Sequence, residues 1–325
     1  MRWMRFFGCA LILVEAALGQ GLKLEKTITV PPDATVRFTA VSPKGDWIAG
    51  ACQDGRVRLW SFPSGELRQS FDLQDQRVSS LRFSGDETLL AVGGDRGGVR
   101  VWNIPSGKLK LQLKGGESVV ALAISPDKTL LAVARKDVPA QLWDLTSERV
   151  ITELPAKFAG SLSLDFSPDG QWLASADADT DLRIYESRTG ALRATTSALL
   201  LETFAITFAA DSKSLYAGGA DKTVSVIDVA AGNVVRKFPQ QPDAVSELRR
   251  STDGKILLVL YFDETGTAKP TPVVAWNVAE ESVEGQVSKP DVTPNGGGFS
   301  GNGRAIFTSS AGAKLQVWSL QNRGK

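Results

Sequence analysis

The chain has 325 residues, 42% hydrophobic and 22% charged, and its 37 basic and 36 acidic side chains give a formal net charge of +1. That balance offers no electrostatic case for nucleic acid or an anionic membrane as partner. Histidine is absent from the whole sequence, which excludes Ser-His-Asp and Cys-His nucleophile systems, imidazole acid–base chemistry and His-ligated zinc or haem.

Residues 1–19 place Arg2 and Arg5 before an apolar run from Phe6 to Val14, with small residues at Ala17 and Gly19. This reads as a secretory signal cleaved after Gly19; the run is too short to span a bilayer. A lipid anchor on Cys9 is the weaker reading, because Phe6-Phe7-Gly8 lacks the usual residues before such a cysteine. The expectation is a bacterial protein, exported to the periplasm or beyond, with 20–325 as one mature domain that inserts in no membrane. Cys52 is then the lone mature thiol, so no intrachain disulfide forms, and it reads as a small, partly buried residue.

From Leu22 to Val30 the sequence L-K-L-E-K-T-I-T-V alternates as a strand does. A repeating pattern follows. An apolar strand ends on an anchor residue (Val41, Phe83, Ile124, Phe166, Phe208, Arg250, Phe299). A turn, in its fullest form Ser-Pro-Asp-Gly, leads to a second apolar strand. A further turn, often Asp-rich, leads to a third strand closed by Trp60, Trp102, Trp143, Tyr185, Ile227, Trp276 or Trp318. The closing residues step by 42, 41, 42, 42, 49 and 42. A fixed period of this size with several short strands per unit means a propeller or solenoid.

The stretches R-V-R-L-W-S, V-R-V-W-N and A-Q-L-W-D, each after an L-A-rich strand and a turn, resemble WD40 repeats over nearly all of the chain after residue 20. The copies run 36–71, 78–113, 119–154, 161–196, 203–238, 245–287 and about 292–320. The first strand of the last copy carries Gly296-Gly297-Gly298, which should weaken its pairing. The last copy also lacks a fourth strand, and the amino-terminal strand lacks its own preceding three. The expected fold is therefore all-β: a seven-bladed β-propeller of four-stranded antiparallel blades, with the N-terminal strand completing the last blade and closing the ring.

The candidate sites are few. Asp177, Asp179 and Asp181 begin like a calcium loop, but Leu182 and Arg188 stand where Gly and Glu are needed, so no metal is expected. Asp179 aligns with Asp54, Asp137 and Asp221 as a turn carboxylate accepting backbone hydrogen bonds. The closing aromatics, at one per copy, read as packing between blades rather than as a ligand box. WD40 repeats often bond the turn Asp with a His; without one, backbone donors alone are expected to hold these turns.

In the resembling family, partners dock on the top face, where the Asp turns and interblade loops lie. On that face Phe158 and Leu200 are the candidate anchors, with Asp75, Arg77, Glu202 and the insertion residues Asp263 and Lys269 as rim contacts. The resemblance implies a protein–protein interaction scaffold. The missing histidine and the lack of a spaced carboxylate constellation make it non-enzymatic with no cofactor, the balanced charge leaves out nucleic acid, and a monomer is expected. The alternatives are an exported lactonase- or hydrolase-like enzyme and a small-ligand-binding propeller.

Overall fold

The computed structural model describes residues 23–29, 36–62, 64–73, 77–155, 161–177, 180–197, 201–262, 272–287, 294–299, 305–310 and 314–319. The leader expected at 1–19 lies outside them, as do Asp75, Phe158, Asp179, Leu200, Asp263 and Lys269.

Every described element is a strand. β1 is Lys23–Thr29. Blade one is β2 (Val36–Val41), β3 (Trp47–Cys52), β4 (Arg56–Ser61) and β5 (Leu67–Asp72). Blade two is β6 (Val78–Phe83), β7 (Leu89–Gly94), β8 (Val99–Asn103) and β9 (Leu109–Leu113). Blade three is β10 (Val119–Ile124), β11 (Leu130–Arg135), β12 (Gln141–Asp144) and β13 (Arg149–Glu153). Blade four is β14 (Ser161–Phe166), β15 (Trp172–Asp177), β16 (Leu182–Glu186) and β17 (Leu192–Thr196). Blade five is β18 (Thr203–Phe208), β19 (Ser214–Gly219), β20 (Val224–Asp228) and β21 (Asn233–Lys237). Blade six is β22 (Val245–Arg250), β23 (Ile256–Tyr261), β24 (Val273–Asn277) and β25 (Ser282–Val287). The remaining strands are β26 (Pro294–Phe299), β27 (Ala305–Ser310) and β28 (Lys314–Ser319).

The protein is an all-β propeller of four-stranded antiparallel blades, as the repeat pattern implies. Six sheets use four consecutive strands each, and a further sheet has the order β1-β28-β27-β26. In it β1 pairs antiparallel with β28, from Lys23 opposite Ser319 to Thr29 opposite Lys314. The glycines of β26 do not prevent its ladder: Gly296, Gly297 and Gly298 pair with Ser309, Thr308 and Phe307. Glycine costs entropy in a strand but keeps its N–H and C=O, and in-register neighbours suffice to form the bonds.

Sequence patterns match position in the blade. The second strands are buried on both faces; all six residues of Leu89–Gly94 are buried, and they read as a continuous apolar run. The fourth strands alternate toward solvent, with Leu67 and Leu109 exposed beside buried Phe71 and Leu111. The first strands stand side by side in the order β2, β6, β10, β14, β18, β22, β26, with β26 also against β2. In each of them the register shifts after the first residue, as between Val36 and Phe38 or Val78 and Ser80, a bulge repeated copy after copy.

The closing aromatics are core. Trp60, Trp102, Tyr185, Trp276 and Trp318 are all buried, and Trp143 packs at the edge of the cluster around Leu122 and Val133. They join blades: Phe71 of blade one lies 4.9 Å from Trp102 of blade two, and Phe238 of blade five 5.5 Å from Trp276 of blade six. Cys52 is buried and unbridged, as a small core residue would be, and burial pushes its thiol pKa up.

The lower turns carry their own wiring. In blades one to four and six the serine after the anchor accepts the N–H five residues on, as Ser42 does from Trp47 and Ser125 from Leu130. In blades two, three, four and six its hydroxyl also donates to the turn Asp, at 2.7 Å from Ser84 to Asp86 and 2.6 Å from Ser125 to Asp127. The turn ends with a left-handed residue, which is glycine at Gly45, Gly170 and Gly254 but Glu87, Lys128 and Ser212 in the other three blades. Each of those three side chains reaches the preceding blade. Glu87 accepts the Lys44 N–H at 2.5 Å, Lys128 Nζ donates to Asp86, and Ser212 Oγ accepts the Asp169 N–H at 3.1 Å.

Candidate functional site

Two places on the propeller concentrate chemistry that blade packing does not need: the upper face and the lower half of the central channel. The upper face carries the second-to-third-strand turns and the interblade connections. There Arg77 is exposed, and its backbone is latched to the neighbouring hairpin: its N–H donates to Asp95 Oδ1 at 2.9 Å and its carbonyl accepts the Asp95 N–H. Glu202 is also exposed, with its carbonyl accepting the Ala220 N–H. These two belong to different blades, and the structure gives them no shared contact.

What the upper face does bring together is aromatic. Phe204, at the start of β18, meets Phe262, just past the end of β23, edge to face with ring centroids 5.4 Å apart. Phe262 is 48% exposed, and Leu201, in the turn entering β18, is 51% exposed. Phe262 and Leu201 directly flank 263–271 and 198–200, the stretches that hold the candidates Asp263, Lys269 and Leu200.

The turns of this face are held differently from the expectation. Asp54 and Asp221 do accept backbone N–H groups, from Arg56 and Thr223 at 3.1 Å. But Asp54 is also gripped by both terminal nitrogens of Arg58, at 3.2 and 2.8 Å. Backbone donors alone do not hold the Asp54 turn; there a guanidinium four residues on does the work expected of a histidine, with a fork that fits a carboxylate, whereas Asp221 adds only the Thr223 hydroxyl to its backbone donor. In blade four, Arg183 bridges Asp177, which is fully buried, and Asp181. That buried charge is compensated on the spot, so it braces the turn and leaves no open ligand sphere. Among the described residues no cluster of acidic or Cys side chains could hold a metal ion.

The second place is a cavity of about 610 Å³ in the channel, opening on the lower face. Its wall takes the residue before six of the seven anchors: Ala40, Arg82, Ala123, Asp165, Thr207 and Arg249. The first strand of each blade is a sheet edge with backbone groups turned to the channel, and such edges need partners. Polar side chains supply them from the neighbouring blade. Ser79 Oγ donates to the Val119 carbonyl at 2.7 Å, Asp165 accepts the Phe208 N–H at 2.9 Å, and Arg82 Nε donates to the Leu122 carbonyl at 3.0 Å. A second Arg82 nitrogen reaches the Leu164 carbonyl at 3.4 Å, so one side chain spans three blades. Burial, and next the charge of Arg249, draw the Arg82 pKa down to about 10, still cationic at neutral pH. These channel residues were missed in the sequence, where the signal was a charge immediately before an anchor in copies two, four and six.

Comparison with known proteins fits this architecture. The WD40 family model (WD domain, G-beta repeat) matches residues 23–61, 65–103 and 150–186. The periodic tryptophan protein 2 homolog of Schizosaccharomyces pombe is 24% identical over 327 aligned residues, covering 91% of this chain and 33% of the relative. The U3 small nucleolar RNA-associated protein 21 of Saccharomyces cerevisiae is 25% identical over 164 residues, 50% of this chain and 18% of its own length. WD repeat-containing protein 1 of Xenopus tropicalis is 37% identical over 76 residues, 22% of this chain and 12% of its own. The chain spans a third or less of the length of these relatives. All three are eukaryotic, and one is named for a nucleolar RNA, which overturns the expectation of a bacterial, exported protein. The repeat spacing, the four-stranded antiparallel blades and these matches together make the chain a member of the WD40-repeat family.

Proposed function

We propose that the chain is a non-catalytic interaction scaffold: a monomeric, closed, seven-bladed ring over 20–325 whose upper face docks a protein partner. The observation that carries this reading is the Phe204–Phe262 pair, an exposed aromatic propped on a second one, with exposed Leu201 three residues before Phe204 in the chain. A held aromatic offers large apolar contact at low entropic cost, the usual chemistry of an interface anchor. Phe158 and Leu200 are proposed as further anchors, and Asp75, Arg77, Glu202, Asp263 and Lys269 as a polar rim. Ring closure is supported by the β1–β28 ladder and by the position of β26 against both β22 and β2. The name of the Saccharomyces cerevisiae relative keeps an RNA-containing assembly among the partners to be tested, despite the balanced charge.

The test is quantitative affinity capture from extract of the source cells, with and without nuclease, using wild type and the Leu201→Ser/Phe262→Ser variant. A partner retained by wild type after nuclease and lost by the variant, with melting close to wild type, supports the reading. Equal capture by both moves the docking site elsewhere, and capture abolished by nuclease replaces the protein partner with nucleic acid.

A further inference from the structure

The lower channel cavity carries more positive charge than edge bonding uses. Arg82, Arg249 and Arg250 all line it, while the carboxylates at this depth are Asp165 in the wall and Glu247, which pairs with Arg249 at 2.5 Å. Three guanidiniums against two carboxylates leave one positive charge. At the mouth, Asp86 is paired with Lys128, and Lys44 has the Glu87 carboxylate beside it, accepting its N–H. Arg82 and Arg249 stand close enough for the second to disfavour the charge of the first, and a monoanion between them would relieve that repulsion. Beside the charged layer lies an apolar one, formed by the anchors Val41, Phe83, Ile124, Phe166 and Phe299. The volume is that of a small-molecule site, and its wall joins a polar, charged side to an apolar one.

We propose that this cavity binds a small organic carboxylate with an apolar body, its carboxylate held by Arg249 and Arg82 and its body against the anchor side chains. A guanidinium fork matches a carboxylate in shape, and the single excess charge suits a monoanion better than a phosphate dianion. The site is independent of the upper face, so a ligand there would leave partner docking sterically free.

The test is isothermal titration calorimetry of the full chain with octanoate and 4-phenylbutyrate, and with 4-phenylbutyramide and inorganic phosphate as comparators. Arg249→Gln removes the charge at a side chain one-third exposed, and Ala40→Phe fills the lumen without touching a charge. The expected result is binding of at least one acid by wild type, with the amide and phosphate at least about tenfold weaker, the loss expected for one charge-assisted hydrogen bond. Arg249→Gln should weaken the acid by about tenfold or more, and Ala40→Phe should abolish binding, while both variants melt cooperatively. No heat from either acid, equal binding of acid and amide, or phosphate bound more tightly than both acids would overturn the proposal. So would unchanged affinity in folded Arg249→Gln. Should Arg249→Gln fail to fold, the Ala40→Phe result and the acid–amide ratio decide.

Discussion

The two faces of the propeller are built to different rules. On the lower face, turn after turn repeats one scheme: a buried serine bonds the returning strand, an aspartate closes the turn, and a left-handed residue completes it. Where that last residue is not glycine, its side chain bonds the blade before it. On the upper face the backbone bonds also repeat, as from the Asp95, Lys136, Ala220 and Phe262 N–H groups to the carbonyls of Arg77, Ser118, Glu202 and Ala244, but the side-chain bonds differ from turn to turn. Asp54 is gripped by Arg58, Arg183 bridges two aspartates, Arg135 donates to the Gly97 carbonyl, and Tyr261 donates to Gln241. The lower face ties blade to blade through these side chains, and the upper face presents Leu201 and Phe262 to solvent. The left-handed residues show why departures from the repeat can be tolerated. A side chain at positive φ costs about 1–2 kcal/mol, and a bond of about 1 kcal/mol to the preceding blade offsets much of it.

The largest expected effect that would break this contrast lies in the lower turns. Gly254 has φ +71, and a Cβ there would sit 2.5 Å from the Ala210 Cβ. Gly254→Ala should therefore cost about 2–4 kcal/mol, combining left-handed strain with overpacking. Gly170 has φ +73, but the Pro126 Cδ is 3.8 Å from the added atom. Gly170→Ala should lose only the strain, about 1–2 kcal/mol. Urea denaturation of both variants measures the gap; equal losses would mean that inter-blade packing at these turns is unimportant.

A smaller effect separates strain from bonding at one position. Ser212→Ala keeps the left-handed side chain but loses the bond from the Asp169 N–H, so about 1 kcal/mol should be lost. Ser212→Gly loses the same bond but releases the strain, and its loss should be less than half as large. If the glycine variant is the weaker of the two, the offset described above is not operating.

The pH dependence sharpens the same comparison. Burial alone would raise the carboxyl pKa values of Asp86, Asp127 and Asp253, but hydrogen bonds from their serines and neighbours outweigh it and hold all three below the usual range. A folded value below the unfolded one means that their contribution is complete above about pH 4 and is lost as pH falls through the folded values. Melting temperature should drop below about pH 4, and Ser125→Ala should shrink the part of that drop due to Asp127. Glu87, next to Asp86, runs the other way. Burial raises its pKa despite bonds from Ser42 and Lys44, so the contribution it makes in acid is lost as pH rises through its folded value. Glu87→Gln should flatten the profile just above pH 4. Identical melting profiles of the variants and wild type from pH 2 to 7 would refute the assignment.

A small stability effect is predicted on the upper face. Phe262→Ser removes a half-exposed ring and its edge-to-face contact with Phe204, and should cost less than about 1 kcal/mol.

Much of this architecture is legible in the sequence, and the missing parts share a cause. Short strands ending on Phe83 or Phe166, and closing residues such as Trp102, mark themselves because turn chemistry and burial act within a few residues. The bonds that stitch blades do not, since Lys128 and Asp86 are 42 residues apart and only the ring brings them together. Arg82, Asp165 and Arg249 are visible as charges before an anchor, but alternation gives them only a polar side and cannot reveal that this side is a shared channel. Arg58 was overlooked for Asp54 because the missing histidine suggested a vacancy, when a longer side chain on the next strand could reach it. The arginines and apolar run of residues 1–19 describe a leader in composition only; that reading named a compartment, and the relatives overturned it.

The division between faces is tested most directly by one paired experiment: affinity capture and thermal melting of the same three proteins, wild type, Gly254→Ala and Leu201→Ser/Phe262→Ser. The account predicts that Gly254→Ala melts several degrees lower yet retains the partner below its melting point, while the upper-face variant melts close to wild type and loses it. Retention of the partner by the folded upper-face variant, or its loss by folded Gly254→Ala, would contradict the claim that the lower face joins the blades and the upper face binds.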